Sequence, residues 1–68
     1  MYRYELLSEI TKFMMIIKED YQNNIITNKQ YELMYIELDS LTENFFSSDL
    51  LLLTTKFHTI KTIYLIMK

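Results

Sequence analysis

Apolar side chains recur along this chain in three helical stripes separated by two polar breaks. In the first stripe, Leu6, Ile10, Phe13, Ile17 and Tyr21 stand four, three, four and four residues apart. In the second, Tyr31, Met34, Leu38, Leu41 and Phe45 are spaced three, four, three and four. Leu50, Leu53, Phe57, Ile60, Tyr64 and Met67 continue the rhythm at three, four, three, four and three. A period near 3.6 places each set along one side of a helix. No glycine or proline interrupts them, as long helices require. The pattern predicts an all-α fold: an antiparallel helical hairpin of residues 4–21 against 28–46, with a third, C-terminal helix over 50–67.

The breaks carry their own signals. Thr27 is a good N-cap, and Gln30 stands three residues on, at capping-box spacing. Ile26 and Tyr31 occupy the positions of a hydrophobic staple. Before them, Asn23 and Asn24 suit a left-handed helix end, where Asn is the usual substitute for glycine. So short a link makes the two helices antiparallel, with Ile25 and Ile26 tucked between their ends. At the second break, Ser47, Ser48 and Asp49 can end one helix and cap the next, or the helix can run through with a bend. The tail is rich in β-branched Thr and Ile, but a lone strand would have no partner. The first helix has no strong cap. Leu7, Met14, Met15 and Ile16 widen its stripe beyond one neighbour.

Sixty-eight residues make a single small helical domain, residues 1–68. A chain of this size buries only about 60% of its unfolded surface. Six tyrosines and five methionines suit both a small core and a protein interface. Leu33 and Ile36 fall off the second stripe. They are either ordinary surface hydrophobes or a second face covered by the tail or by another subunit. A homodimer would bury such a face.

Charge is uneven. Residues 1–49 hold all nine acids against four basic residues, a balance of −5, while 50–68 hold Lys56, Lys61 and Lys68 with no acid. The acidic part argues against a nucleic-acid surface. Glu5 and Glu9 interrupt the N-terminus before a signal-peptide core can form. The tail comes nearest to a membrane span, but Lys56, His58, Lys61 and four threonines break it, so a membrane partner is not expected. Peripheral association through the basic apolar tail is the weaker alternative.

Few residues suggest chemistry. No cysteine is available for a thiolate metal site, and His58, the one histidine, has no carboxylate at ligand spacing, so no metal is expected. A phosphate loop needs glycine, and none is present. Ser8, Ser40, Ser47 and Ser48 sit in no nucleophile motif. Glu32, Asp39 and Glu43 share one side of the second helix as an acidic strip. Such a strip serves equally as a plain solvated face or as a docking surface.

Across residues 10–45 the chain resembles the Spo0E-like family of small aspartyl-phosphate phosphatases. Ile10, Phe13 and Ile17 stand at the apolar positions of that family's first helix, and Ile26 and Thr27 match its link and cap. Glu37, Leu38 and Asp39 match the last three residues of its Ser-Gln-Glu-Leu-Asp signature, with Leu41 and Phe45 at the apolar positions beyond. Tyr35 and Ile36 replace the signature serine and glutamine, Met14 stands for a common arginine, and Asn23 and Asn24 stand where glycine is common. The resemblance implies a cytoplasmic helical hairpin in sporulation signalling. Its partner would be the receiver domain of a response regulator such as Spo0A, which supplies its own Mg2+. Asp39 would be the catalytic residue, and Tyr35, Ile36, Glu32, Glu43 and Leu33 would contact the partner. A non-catalytic helical interaction module, as a monomer or a homodimer, is the alternative.

Overall fold

The computed structural model describes residues 2–68 as three α-helices: α1, Arg3–Gln22; α2, Asn28–Glu43; and α3, Leu50–Met67. No strand occurs among the described residues. Each helix touches the other two. Arg3 near the start of α1 donates from Nη1 to the Phe45 carbonyl beyond the end of α2, at 2.9 Å. At the far end the Tyr21 and Tyr31 rings stack with centroids 4.6 Å apart. α1 and α2 are therefore antiparallel. α3 returns alongside α1, with Tyr64 near its end bonded to Asp20 near the end of α1.

Nearly all the buried residues belong to the three stripes. Leu6, Ile10, Phe13 and Ile17 of α1 meet Met34, Leu38 and Leu41 of α2 and Leu53, Phe57, Ile60 and Tyr64 of α3. Phe13 is the centre of the α1–α3 seam. Its ring meets Phe57 and Tyr64 edge-on, at centroid distances of 5.7 and 5.5 Å. Such edge-to-face pairs stabilise by about 0.5–1.5 kcal/mol beyond simple burial. Of the residues that widen the α1 stripe, Leu7 and Met14 pack against the core, while Met15 and Ile16 are exposed.

Both junctions have a local chemical cause. Asn24 takes φ 60°. The Ile25 amide bonds the Asp20 carbonyl and the Asn24 amide bonds that of Tyr21, the two bonds of a Schellman ending. Ile26 is then buried, whereas Ile25 stays exposed. Thr27 caps α2 with a complete capping box: its Oγ1 accepts from the Gln30 amide and its own amide donates to Gln30 Oε1. α1 lacks a side-chain cap at Tyr2.

α2 stops at Glu43, earlier than the stripe implies. The Asn44 carbonyl accepts from the Ser47 and Ser48 hydroxyls and amides, drawing the chain into a turn. Phe45 is buried from that turn rather than from the helix. Asp49 then caps α3 by accepting from the Leu51 amide at 2.8 Å. The chain stops and restarts here instead of bending through.

α3 does not cover Leu33 and Ile36, which remain 49% and 62% exposed. Its own buried stripe is drawn to the inner faces of α1 and α2, so the outer side of α2 has no neighbour among the described residues.

Candidate functional site

The outer side of α2 carries every residue expected to act. Glu32, Leu33, Tyr35, Ile36, Asp39 and Glu43 are all exposed. Helical spacing sorts them. Ile36 stands four residues from Glu32 and three from Asp39, with Glu43 one turn beyond Asp39, so an apolar side chain lies among three acids. Leu33 points elsewhere. It shares a side with Glu37 and Ser40, which line a groove with Thr55, Lys56, Thr59 and Ile63 of α3.

Tyr35 is held by its neighbours. The Tyr21 and Tyr31 rings are nearly parallel, and Tyr31 meets Tyr35 at 6.1 Å with a 52° tilt. The Tyr21 hydroxyl donates to Asn28 Oδ1 at 3.0 Å, and Asn28 Nδ2 donates to Glu32 Oε1 at 3.4 Å. This tyrosine ladder ties the hairpin's closed end to a shallow groove lined by Tyr31, Glu32, Tyr35 and Ile36. The i, i+4 spacing of Tyr31 and Tyr35 is legible in the sequence. The stack across the link is not.

Asp39 lies a turn beyond the groove. Its backbone carbonyl accepts from the Thr42 hydroxyl at 3.1 Å. Among the described residues its carboxylate has no hydrogen-bond or ion-pair partner. An exposed, unengaged carboxylate can accept a proton or orient a water, and nothing among the described residues competes for it.

A second carboxylate, overlooked by pattern reading, behaves in the opposite way. Asp20 is the one buried charged side chain among the described residues. Its Oδ2 accepts from the Tyr64 hydroxyl at 2.5 Å and pairs with Lys68 Nζ at 2.9 Å. The Tyr64 hydrogen bond, then that of Lys68, hold the Asp20 carboxyl below the usual carboxylate range against an opposing effect of burial. Burial and the same aspartate push the Tyr64 hydroxyl well above the ordinary tyrosine range. This group fastens α3 to α1.

His58 is exposed, and no group of three or more His, Asp or Glu side chains gathers as a metal site among the described residues. α3 has the length and composition of a membrane span, and 22% of it is buried. No family model matches the chain, and neither the curated proteins nor the solved structures provide a match.

Proposed function

We propose that the outer face of α2 docks onto the receiver domain of a response regulator and presents Asp39 to its phosphoaspartate. The observation that carries this reading is the free Asp39 carboxylate on a face that also exposes Ile36 and the ladder-held Tyr35. The resemblance of residues 10–45 to the Spo0E-like hairpins supplies the partner class. An apolar centre rimmed by Glu32, Asp39 and Glu43 suits a surface with a basic rim.

The chemistry asked of this chain is small. Water attacks phosphorus in line, the bond from phosphorus to the receiver's aspartate breaks, and the aspartate leaves as carboxylate. Asp39 would accept a hydrogen bond from that water and hold it on the attack line. The metal that polarises the phosphoryl group belongs to the receiver. Ile36 has no polar atom on its side chain, so it contributes burial alone.

That last fact favours a second reading, docking without hydrolysis. Loss of phosphoryl from a purified, phosphorylated Spo0A receiver separates the two. In the phosphatase reading the parent chain accelerates the loss and Asp39→Ala lowers the acceleration at least tenfold while binding persists. In the docking reading there is no acceleration, and Ile36→Ser abolishes binding. A parent chain that neither binds the receiver nor accelerates hydrolysis removes both.

A further inference from the structure

α3 has an outward face that the other described residues leave bare, and apart from His58 and Thr59 at its centre the sequence of that face reads alike from both ends. About the midpoint between His58 and Thr59, Leu51 mirrors Ile66, Leu52 mirrors Leu65, Thr55 mirrors Thr62, and Lys56 mirrors Lys61. The buried stripe faces inward through Leu53, Phe57, Ile60 and Tyr64. Helical spacing therefore puts Leu51, Thr55, Thr62 and Ile66 near the middle of the opposite side, with Leu52, Thr59, His58 and Leu65 beside them. Leu51, Leu65 and Ile66 are 74%, 72% and 80% exposed.

In an isologous antiparallel pairing each residue meets its mirror position on the identical chain, and here that sets aliphatic against aliphatic and threonine against threonine. We infer that two copies of this chain pair through α3, antiparallel, about a twofold axis beside His58 and Thr59. The centre of the seam holds Thr55, Thr59 and Thr62, short side chains, with His58 beside the axis. Every threonine on α3 turns its hydroxyl onto a carbonyl four residues back, at 2.8–3.0 Å. None of these hydroxyls enters the seam without a partner.

The large aliphatic side chains stand at both ends, so Leu51 and Leu52 of one copy meet Ile66, Leu65 and Ile63 of the other. Lys56 and Lys61 fall at the flanks, one on each side, and remain in water. α3 has no acid, so no carboxylate of α3 itself is buried. The seam runs the full helix, roughly 27 Å at 1.5 Å per residue. A stable interface needs about 1,000 Å² in total, and the α2 flank at Ser40, which shares a groove with Thr55, Thr59 and Ile63 of α3, widens the seam. This inference uses a different face from the docking reading and stands or falls apart from it.

The chain has no cysteine, which makes single-cysteine variants direct reporters. Sedimentation of the parent is expected to give a mass near twice 8.3 kDa. Thr59→Cys, close to the axis, is expected to form a disulfide-linked dimer on mild oxidation. Leu51→Cys alone is not, because its own copy lies roughly 22 Å away along the seam at 1.5 Å per residue. Mixed with Ile66→Cys, it should cross-link. Circular dichroism of each variant checks that it remains folded. A parent chain that stays monomeric at millimolar concentration overturns the inference. So does self-linking of Leu51→Cys, which marks a parallel pair. Flotation of monomer with anionic phosphatidylserine vesicles, lost in Leu65→Ser with Ile66→Ser, would make lipid the occupant and overturn it as well.

Discussion

The hairpin and α3 are held in place by different kinds of information. In the hairpin the instructions are local: Asn24 in its left-handed conformation, the Thr27–Gln30 box, and two stripes of matching period. α3 has its cap at Asp49, but its composition is apolar nearly all round. Its period says that it is a helix, yet many of its apolar side chains could face inward. Its orientation is decided by partners far away in sequence, through Phe13 against Phe57 and Asp20 against Tyr64 and Lys68. Capping and periodicity thus specify two helices and their turn, whereas a third helix is placed by a few unlike contacts.

The largest test of that contrast is Phe57→Ala. Removing a buried phenylalanine costs about 3–5 kcal/mol, and a core of this size rarely supplies more than about 3–5 kcal/mol in all. The variant is expected to lose helical circular dichroism from the whole chain at 25 °C, because α3 closes the core on which the hairpin stripes also rest. Protein concentration is held fixed against the parent, since self-association adds to apparent stability. A variant that keeps the hairpin's helicity while α3 melts by itself would mean that the two parts are independent.

The legible part of the structure divides along the same line. The three stripes name nearly all the buried residues, and the two Asn and the Thr27 box locate the first turn. The end of α2 at Glu43, short of the expected Phe46, was not legible. Phe45 keeps the stripe's period, while the Ser47 and Ser48 hydroxyls that capture the Asn44 carbonyl are set by turn geometry. Asp20 escapes pattern reading because an acid at the end of an amphipathic helix, here beside Glu19, ordinarily faces water. Only the approach of Tyr64 and Lys68 from 44 and 48 residues away makes its burial tolerable. The exposed acids of α2 were legible from spacing, and so was the candidate face they form. The tyrosine ladder that steadies Tyr35 was not, since its first ring comes from another helix.

A subtler test follows from Asp20 and Tyr64, and it is read in pH. Asp20 has its folded value below the ordinary 3.8. Its contribution to stability is complete above that value and is lost as pH falls through the folded value. Tyr64 has its folded value above the ordinary 10.0, so its contribution is complete below pH 10 and is lost at higher pH. Tyr64→Phe removes the alkaline component and weakens the acid one, leaving Lys68 as the remaining partner of Asp20. Stability of this variant, measured by urea titration from pH 2.5 to 11, is expected to be lower throughout and flatter at both ends. A curve that runs parallel to the parent's would show that the pair does not couple α3 to α1.

The smallest expected effect lies in the local instructions. Thr27→Ala removes the side-chain oxygen that accepts from the Gln30 amide. The reciprocal bond survives, because it uses the Thr27 backbone amide and Gln30 Oε1. Losing one N-cap acceptor costs about 1 kcal/mol, which lowers the melting temperature of a domain of this size by roughly 4–8 °C. Thr27→Ser, which keeps the oxygen, should melt within a degree or two of the parent. A drop in the serine variant as large as that in the alanine variant would move the effect from the cap to the threonine methyl. The turn would then be held by packing at its apolar surroundings, and the hairpin would be placed, like α3, by contacts and not by its own local chemistry.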